Sequence, residues 1–314
     1  MKGMLYTADH HVYELPPLLE WNVRHTGTVP CDSWSVTAVY RPEMAPVLKM
    51  AAGFAAVEDG QTQLRGIVDE YSVELDQNGL AVTLAGRGYA ARLLDNESRP
   101  VTYERVTLRE LLRRHAEPYG ITVGEAVELS SAAPYTAGAG SSQWKVISEF
   151  CRVYGGFLPR FSKTGELLAA PEQAGRQLVL DESSPIRSCR LREDHYGVIT
   201  EALVIDKRQN ISYSVRNPEM IRKGGQCRRV VYTPGKSTWA AMRYTGEYQI
   251  QQSRQDEKTV TVSLPGSFGA FPGDRAELRL SKLGLEGFFR VAEAENRFSA
   301  REGAVMTWTL KECE

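Results

Sequence analysis

LAVTLAGRGYAARLLDNESRP, residues Leu80–Pro100, changes its hydrophobic period halfway along. Residues 80–84 alternate between larger apolar side chains and Ala or Thr, a pattern that predicts a half-buried strand. Beyond Gly86-Arg87-Gly88 the apolar residues recur at helical spacing, and this pattern stops at Asp95. The stretch is therefore predicted to run from a strand into a short helix. It is either a junction between two domains or a nucleotide-binding turn.

The segment before this stretch is predicted to be a β-hairpin. Residues 67–75 alternate between apolar and polar side chains, and Asp76-Gln77-Asn78-Gly79 follows them. An Asn-Gly step accepts the positive φ values that a tight hairpin loop requires. The strand that leads to Gly86 therefore belongs to an antiparallel sheet.

The glycines also match the dinucleotide-binding pattern G-x-G-x-x-G/A at residues 86–91. That pattern needs a buried parallel strand before it, a helix after it and an acidic residue about twenty positions on. Here the strand is antiparallel and the helix spans about two turns. The domain junction is the better interpretation, and we expect Gly86, Gly88 and Asp95 to form its structural pivot.

The rest of the chain is predicted to be β, then mixed, then β again. A capping box at Thr107 and Glu110 starts a helix, a second helix begins near Ser142, and a hairpin follows it. The predicted fold class is mainly β with α+β: two small antiparallel β-barrel domains and an intervening small α/β domain. The predicted limits are 1–97 for the first barrel, completed by strands from about 186–235, 98–185 for the α/β domain, and 236–314 for the second barrel.

Composition argues against several functional classes. The net charge of -1 lacks the basic excess of a dedicated nucleic-acid binder. No run of eighteen apolar residues occurs, so no transmembrane helix is expected, and the first residues lack the pattern of a signal peptide. Five scattered cysteines without C-x-x-C spacing predict reduced thiols in a cytosolic product.

Catalytic, cofactor and metal sites are not predicted. The five histidines lack metal-ligand spacing, and no G-x-S-x-G, H-E-x-x-H or P-loop pattern occurs. Cys151 lies on the apolar stripe of its helix, which favours a core position. Carboxylate pairs such as Asp69/Glu70 and Asp181/Glu182 keep a glycosidase activity as an alternative, because the sequence does not give their separation in space.

Two basic clusters remain. One comprises Arg222, Lys223, Arg228 and Arg229, and the other lies at residues 109–114. One interpretation is that both clusters are solvated, in loops and at a helix end. The other is that they contact an acidic protein partner, since basic side chains accelerate association with negative surfaces.

Four segments in this order resemble the baseplate hub proteins of contractile phage tails and related injection machines. That family includes the tail protein D type and the hub half of VgrG-like spikes. The segments are GRGYAARLLDNE (86–97), YERVTLRELLRRHAEPYGITV (103–123), SQWKVISEFCRVYGGFLPRFSKTGEL (142–167), and FPGDRAELRL (271–280) followed by GLEGFFRVAEAENRFSAREGAVMTWTL (284–310). The resemblance covers about residues 30–314.

The resemblance implies a non-enzymatic structural protein. Three copies would form a pseudo-sixfold ring that adapts the hexameric tail tube, or a tube-initiator protein, to a trimeric central spike. Further implied partners are a tape measure protein and baseplate wedge or LysM-type proteins, with no cofactor, membrane or specific nucleic acid. The spike is expected to be a separate chain, and the ring to be assembled in the bacterial cytoplasm for a phage, tailocin or other injection particle. A tail-associated cell-wall hydrolase and an OB-like binding module are the alternatives.

Overall fold

The computed structural model describes residues 1–27, 31–77, 79–131, 134–173, 175–233, 238–255 and 257–313. The chain is mainly β, as predicted, with a smaller share of short helices. Asn78, in the predicted hairpin turn, and the predicted boundary at 235/236 lie outside the described residues. Of the helices within the described ranges, none has both the length and the apolarity needed to cross a membrane.

The first part of the chain is a set of antiparallel strands that ends in a short helix. Its elements are β1 (Lys2–Thr7), β2 (Val12–Glu14), β3 (Leu18–Thr26), β4 (Ser33–Val39), α1 (Ala45–Met50), β5 (Ala51–Glu58), β6 (Gln61–Asp76), β7 (Gly79–Gly88) and α2 (Ala90–Leu94). Alternate residues of β4 and β7, among them Val36 and Leu84, are buried against Trp34 and Phe54 in one core. The predicted hairpin before Gly86 is formed by β6 and β7.

The middle part is the predicted mixed unit. It contains β8 (Val101–Tyr103), α3 (Leu108–His115), β9 (Val123–Ala126), β10 (Tyr135–Ala137), α4 (Gln143–Phe150), β11 (Arg160–Phe161) and β12 (Leu167–Ala169), with a π-helical turn at Cys151–Gly155. The predicted capping box is present: the Thr107 hydroxyl accepts from the Glu110 backbone N–H, and Glu110 accepts from that of Thr107. Leu111, Ile147 and Phe150 bring the two helices into one core.

The last part combines a second set of long strands with a smaller sheet. Its elements are β13 (Gln177–Asp181), β14 (Ser188–Glu193), β15 (Glu201–Asp206), β16 (Ile211–Arg216), α5 (Pro218–Arg222), β17 (Arg228–Tyr232), α6 (Trp239–Arg254), β18 (Lys258–Pro265), β19 (Arg275–Leu280), β20 (Leu285–Ser299) and β21 (Gly303–Glu312). Strands β15, β16 and β17 form a separate sheet, on which α6 packs.

One 13-stranded sheet joins the first and last parts. Its order is β14-β18-β21-β20-β3-β4-β7-β6-β5-β1-β2; β19 also pairs with β20, and β13 pairs with β19. The first half of β20 pairs with β19, and residues 293–299 pair with residues 20–26 of β3. We call this β3–β20 pairing the seam. Among the described strands the pairings form an open sheet and close neither set into a barrel.

The predicted completion of the first barrel by strands from 186–235 is wrong. Strand β14 pairs with β18 in the last part, and β15–β17 pair with one another. The strand that joins the first part from outside is β20. Alternation of apolar residues identifies a strand but not the sheet edge that it joins, and here β20 already occupies the free edge of β3.

Helix α6 is also a departure from prediction, because residues 236–314 were expected to form a β-barrel. Only Met242, Gly246 and Ile250 are buried along its sixteen residues, so its apolar stripe is one side chain wide. A hypothetical Cβ on Gly246 would lie 2.4 Å from Val215, and the helix therefore sits close against the sheet. So narrow a stripe carries little helical periodicity in the sequence.

The core side of the seam is aromatic. Trp21 of β3 is buried and stacks on Phe298 of β20 at 6.1 Å and on Phe268, which follows β18, at 5.5 Å between ring centroids. On the opposite face Arg24 pairs with Glu293 at 2.5 Å, and the Asn22 amide donates to Glu295 at 2.8 Å. The seam thus has apolar contacts on one face and polar contacts on the other.

Trp21→Ala is expected to lower the free energy of unfolding by about 3–5 kcal/mol, because it opens a cavity between the two sets of strands. Urea unfolding followed by circular dichroism measures this loss. Tyr196→Ala, which truncates an aromatic side chain that is 95% exposed, is the matched control and is expected to stay within about 0.5 kcal/mol of the parent chain. Equal, small losses in both variants would contradict a packed seam.

Candidate functional site

Gly86 acts by close packing and not as a turning point. It lies inside β7 and does not have a positive φ, so the predicted change of direction does not occur there. A Cβ on Gly86 would lie 2.0 Å from the carbonyl oxygen of Ile67 and 2.9 Å from the Trp34 ring. The Trp34 indole N–H donates to the same carbonyl at 3.1 Å. Glycine is therefore required because the β6 backbone and the indole approach β7 closely.

Gly88, the second predicted pivot, ends β7 and has more room. Its N–H donates to the carbonyl of Asp32 at 2.8 Å, and a Cβ there would lie 3.2 Å from the Asp32 Cβ. Gly66 was not singled out by the sequence, yet a Cβ on it would lie only 2.2 Å from the carbonyl oxygen of Arg87. Its signal is weak, because a lone glycine within a strand pattern only suggests a close backbone approach.

Asp95, the third predicted pivot, is held by Arg87. Both terminal nitrogens of Arg87 donate to the Asp95 carboxylate, at 2.8 and 3.0 Å, while Nε and Nη2 donate to Asp69 at 2.8 and 2.9 Å. Arg87 thus ties β6 to the end of α2. The hydrogen bonds from Arg87 lower the pKa of Asp95, and the two carboxylates raise the pKa of Arg87.

The stretch from β7 to α2 contributes to two cores. Val82 and Leu84 lie in the core of the first part, and Leu93 lies in the core of the mixed unit. Between them, the Tyr89 ring has the guanidinium of Arg92 at 4.6 Å from its centroid. The short helix therefore begins the mixed unit, and the geometry matches a junction better than a nucleotide-binding turn.

A small cavity of about 110 Å³ lies beside this junction, lined by residues of all three parts, including Tyr89, Trp144 and Phe271. Next to it Lys163 donates to Gln63 at 3.0 Å, and burial lowers the pKa of Lys163. His25 is buried and its Nδ1 lies 2.8 Å from Asp32. The Lys163–Gln63 contact joins the mixed unit to the first part, whereas the His25–Asp32 contact lies within the first part. Neither contact places a nucleophile beside a base.

Two further residues with reactive side chains, Cys151 and His115, are buried in the mixed unit. Burial raises the pKa of Cys151 to about 12, so its thiol stays protonated at neutral pH. His115 bonds Tyr103 and Gln143, and its burial lowers its pKa. Over the described part of the chain, no three His, Cys, Asp or Glu residues are arranged to hold a metal ion.

The predicted basic contact residues divide into two kinds. Arg228 pairs with Glu201 at 2.7 Å, and Lys223 lies between Glu219 and Glu257 at 3.4 and 3.3 Å. Arg222 and Arg229 are exposed and have no ion pair with any of the described residues. These two arginines are the members of the cluster that remain available to a partner.

The fold is that of phage tail proteins, which confirms the resemblance seen in the sequence. A tail protein from Neisseria meningitidis MC58 has a TM-score of 0.79 at 16% identity, over 99% of this chain and 96% of that one. The 43 kDa tail protein of prophage MuSo2 from Shewanella oneidensis gives 0.78 at 14% identity, over 99% and 97%. A type VI secretion system component from E. coli gives 0.56 at 10% identity, over 95% and 74%.

No protein-family model and no curated protein matches the sequence. At such low identities the likeness to solved structures shows the fold alone.

Gly86→Ala is expected to destabilise the chain by about 2 kcal/mol or more, because the added methyl overlaps the Ile67 carbonyl. Thermal or urea unfolding measures the loss. Gly138→Ala is the control, since a Cβ there meets only the Ser141 hydroxyl, at 3.8 Å, and its φ is not positive. If Gly86→Ala were as stable as the control, the close approach of β6 and β7 would be refuted.

Asp95→Asn is expected to reduce stability at pH 7 by at most about 1 kcal/mol, because the ion pair with Arg87 is largely exposed. The lowered pKa of Asp95 stabilises the folded chain above the unfolded-state value near 3.8, and this contribution is lost as the pH falls through the folded-state pKa. Unfolding of both chains between pH 7 and pH 2.5 should therefore show a difference that shrinks toward the acid end. A difference that grows with acidity would argue against the assignment.

Proposed function

We propose that this chain is a structural hub of a baseplate in a contractile tail or phage-like injection machine. Three copies form a ring in which two similar sets of strands per copy give six similar positions. The ring adapts the hexameric tube to the trimeric spike, and the chain itself performs no catalysis.

The likeness to two tail proteins over almost the whole of each chain carries this proposal. A second support is the sheet order, in which two mainly antiparallel sets of strands lie side by side in one sheet. Two such sets in each of three copies supply six units, the number that matches a hexameric tube.

The proposed partners follow from that position. The tube or tube-initiator protein lies above the ring and the spike below it, with a tape measure protein and baseplate wedge or LysM-type proteins nearby. Arg222 and Arg229 are proposed contacts to an acidic partner. The proposed location is the baseplate centre of a virion, tailocin or other injection particle, after assembly in the bacterial cytoplasm.

Mass photometry of the purified chain, alone and with the tube and spike proteins of the same particle, tests the proposal. The expected species has three times the 35.0 kDa mass of the chain and joins both the tube and the spike. Cryo-electron microscopy of the complex would show the ring. A chain that stays monomeric and joins neither protein would overturn the hub.

The double variant Arg222→Glu/Arg229→Glu, run in the same experiment, tests the basic contacts. It is expected to bind one partner less tightly, with the loss largest at low salt. The matched control reverses two exposed arginines of the mixed unit that lie outside both basic clusters, Arg99 and Arg105, to glutamate. Equal binding by the two double variants would remove Arg222 and Arg229 as contacts.

A further inference from the structure

Strand β6 changes from an inner strand to an edge strand halfway along its length. Residues 61–67 pair with β5, whereas the backbone of residues 68–76 pairs, among the described strands, with β7 alone. Tyr71, Val73 and Leu75, at alternate positions on this edge, are 42%, 41% and 73% exposed. An unpaired edge that carries apolar side chains is a template for pairing with another strand.

Strand β14 supplies a second open edge at one end of the same sheet. Within the described ranges it pairs only with β18, and Leu191 on it is 38% exposed. Its six residues are one fewer than the seven residues from Glu70 to Asp76 on β6. Neither edge contains a proline that would prevent pairing.

The two edges present their apolar side chains on equivalent faces. Val73 lies opposite the buried Val82, and Leu191 lies opposite the buried Val260, so both belong to the core face of the sheet. A strand that paired with either edge would continue this apolar face. The added strand would then cover the apolar side chains that are exposed at the β6 edge and at the β14 edge.

The opposite faces of the two edges carry opposite charges. Residues 69–80 contain four acidic and no basic residues, whereas β14 has Arg190 and Arg192 on this face and its one acidic residue, Glu193, on the face of Leu191. Glu70 and Glu74 lie opposite Ala85 and Ala81, away from the core, and Arg190 lies opposite Thr261. Two copies of the β6 edge would repel each other, because like charges across a strand pair are destabilising.

The seam within the chain is a strand pairing of the same kind, with apolar contacts on one face and polar contacts on the other. There, aromatic side chains meet on the core face, while Arg24 and Asn22 contact Glu293 and Glu295 on the opposite face. The open edges of β6 and β14 have a similar division: charged side chains lie on one face, and Tyr71, Val73 and Leu75 or Leu191 lie on the other, where β14 also carries Glu193.

We propose that β14 of one copy pairs with residues 70–76 of β6 in a second copy, so that the sheet continues from chain to chain. Leu191 then packs beside Tyr71, Val73 and Leu75, and Arg190 and Arg192 face Glu70 and Glu74. The contact uses two different surfaces and repeats head to tail, which is the kind of contact that closes a ring. The inference rests on the proposed function, because it identifies the interface of the proposed trimer.

Charge reversal and its rescue test this interface in the full chain. Glu70→Arg/Glu74→Arg and Arg190→Glu/Arg192→Glu are each expected to weaken self-association about tenfold or more, because attraction becomes repulsion at the same place. The chain with all four substitutions is expected to recover most of the loss. Sedimentation velocity over a range of concentrations measures the association, and circular dichroism verifies that each variant is folded.

The matched control reverses two exposed acidic residues of the mixed unit, in Glu104→Arg/Glu128→Arg, and is expected to leave self-association unchanged. Rings that form normally in both reversed variants would overturn this interface and leave the hub standing. Folded single-edge variants that are not rescued by combination would also overturn it. A parent chain that stays monomeric with the tube and spike proteins present would overturn the hub and the interface together.

Discussion

The architecture depends on the change of partner that β20 makes at Ala292. Before this residue β20 pairs with β19, and the backbone of Val291 is bonded to Asp274 and Gly273. After it β20 pairs with β3, and the Ala292 carbonyl accepts from the N–H of Gly27 at 2.9 Å. The register shifts at this point, as in a β-bulge, which bends a strand and increases its twist. A single strand thus belongs to both sets and holds them in one sheet.

The packing around β20 makes this arrangement specific. Val291 and Ala294 lie in the core of the last part, while Phe298 packs on Trp21 of the first part. The buried side chain of Asn296 accepts from the N–H of Phe268 at 2.6 Å, and Phe268 itself stacks on Trp21. A buried polar atom is costly unless it is bonded, so this bond to Asn296 Oδ1 favours one register of β20 over its neighbours, while the buried Asn296 Nδ2 has no partner among the described residues.

Sequence reasoning succeeded where structure is local. The β6–β7 hairpin and the Thr107 capping box are specified by residues within a few positions of one another, and both were predicted. The partner of β14, the docking of α6 through Gly246 and the reason for Gly86 depend on residues far apart in the chain. For Gly86 the sequence showed which residue mattered, but the cause is the Ile67 carbonyl nineteen positions earlier and the Trp34 ring. A turn and a close approach select the same residue type, and only the pairing of strands distinguishes them.

The proposed ring has two separate properties: which surfaces meet, and how many copies close it. The charges and apolar residues on the β6 and β14 edges determine which surfaces meet, but they do not set the number of copies, because a head-to-tail contact can repeat without limit. A ring of three requires the sheet to turn by one third of a circle within each copy and its contact. The bulge at Ala292 can contribute to that angle, since it bends the strand that both sets share. Partner choice and copy number therefore depend on different residues, and substitutions at one need not disturb the other.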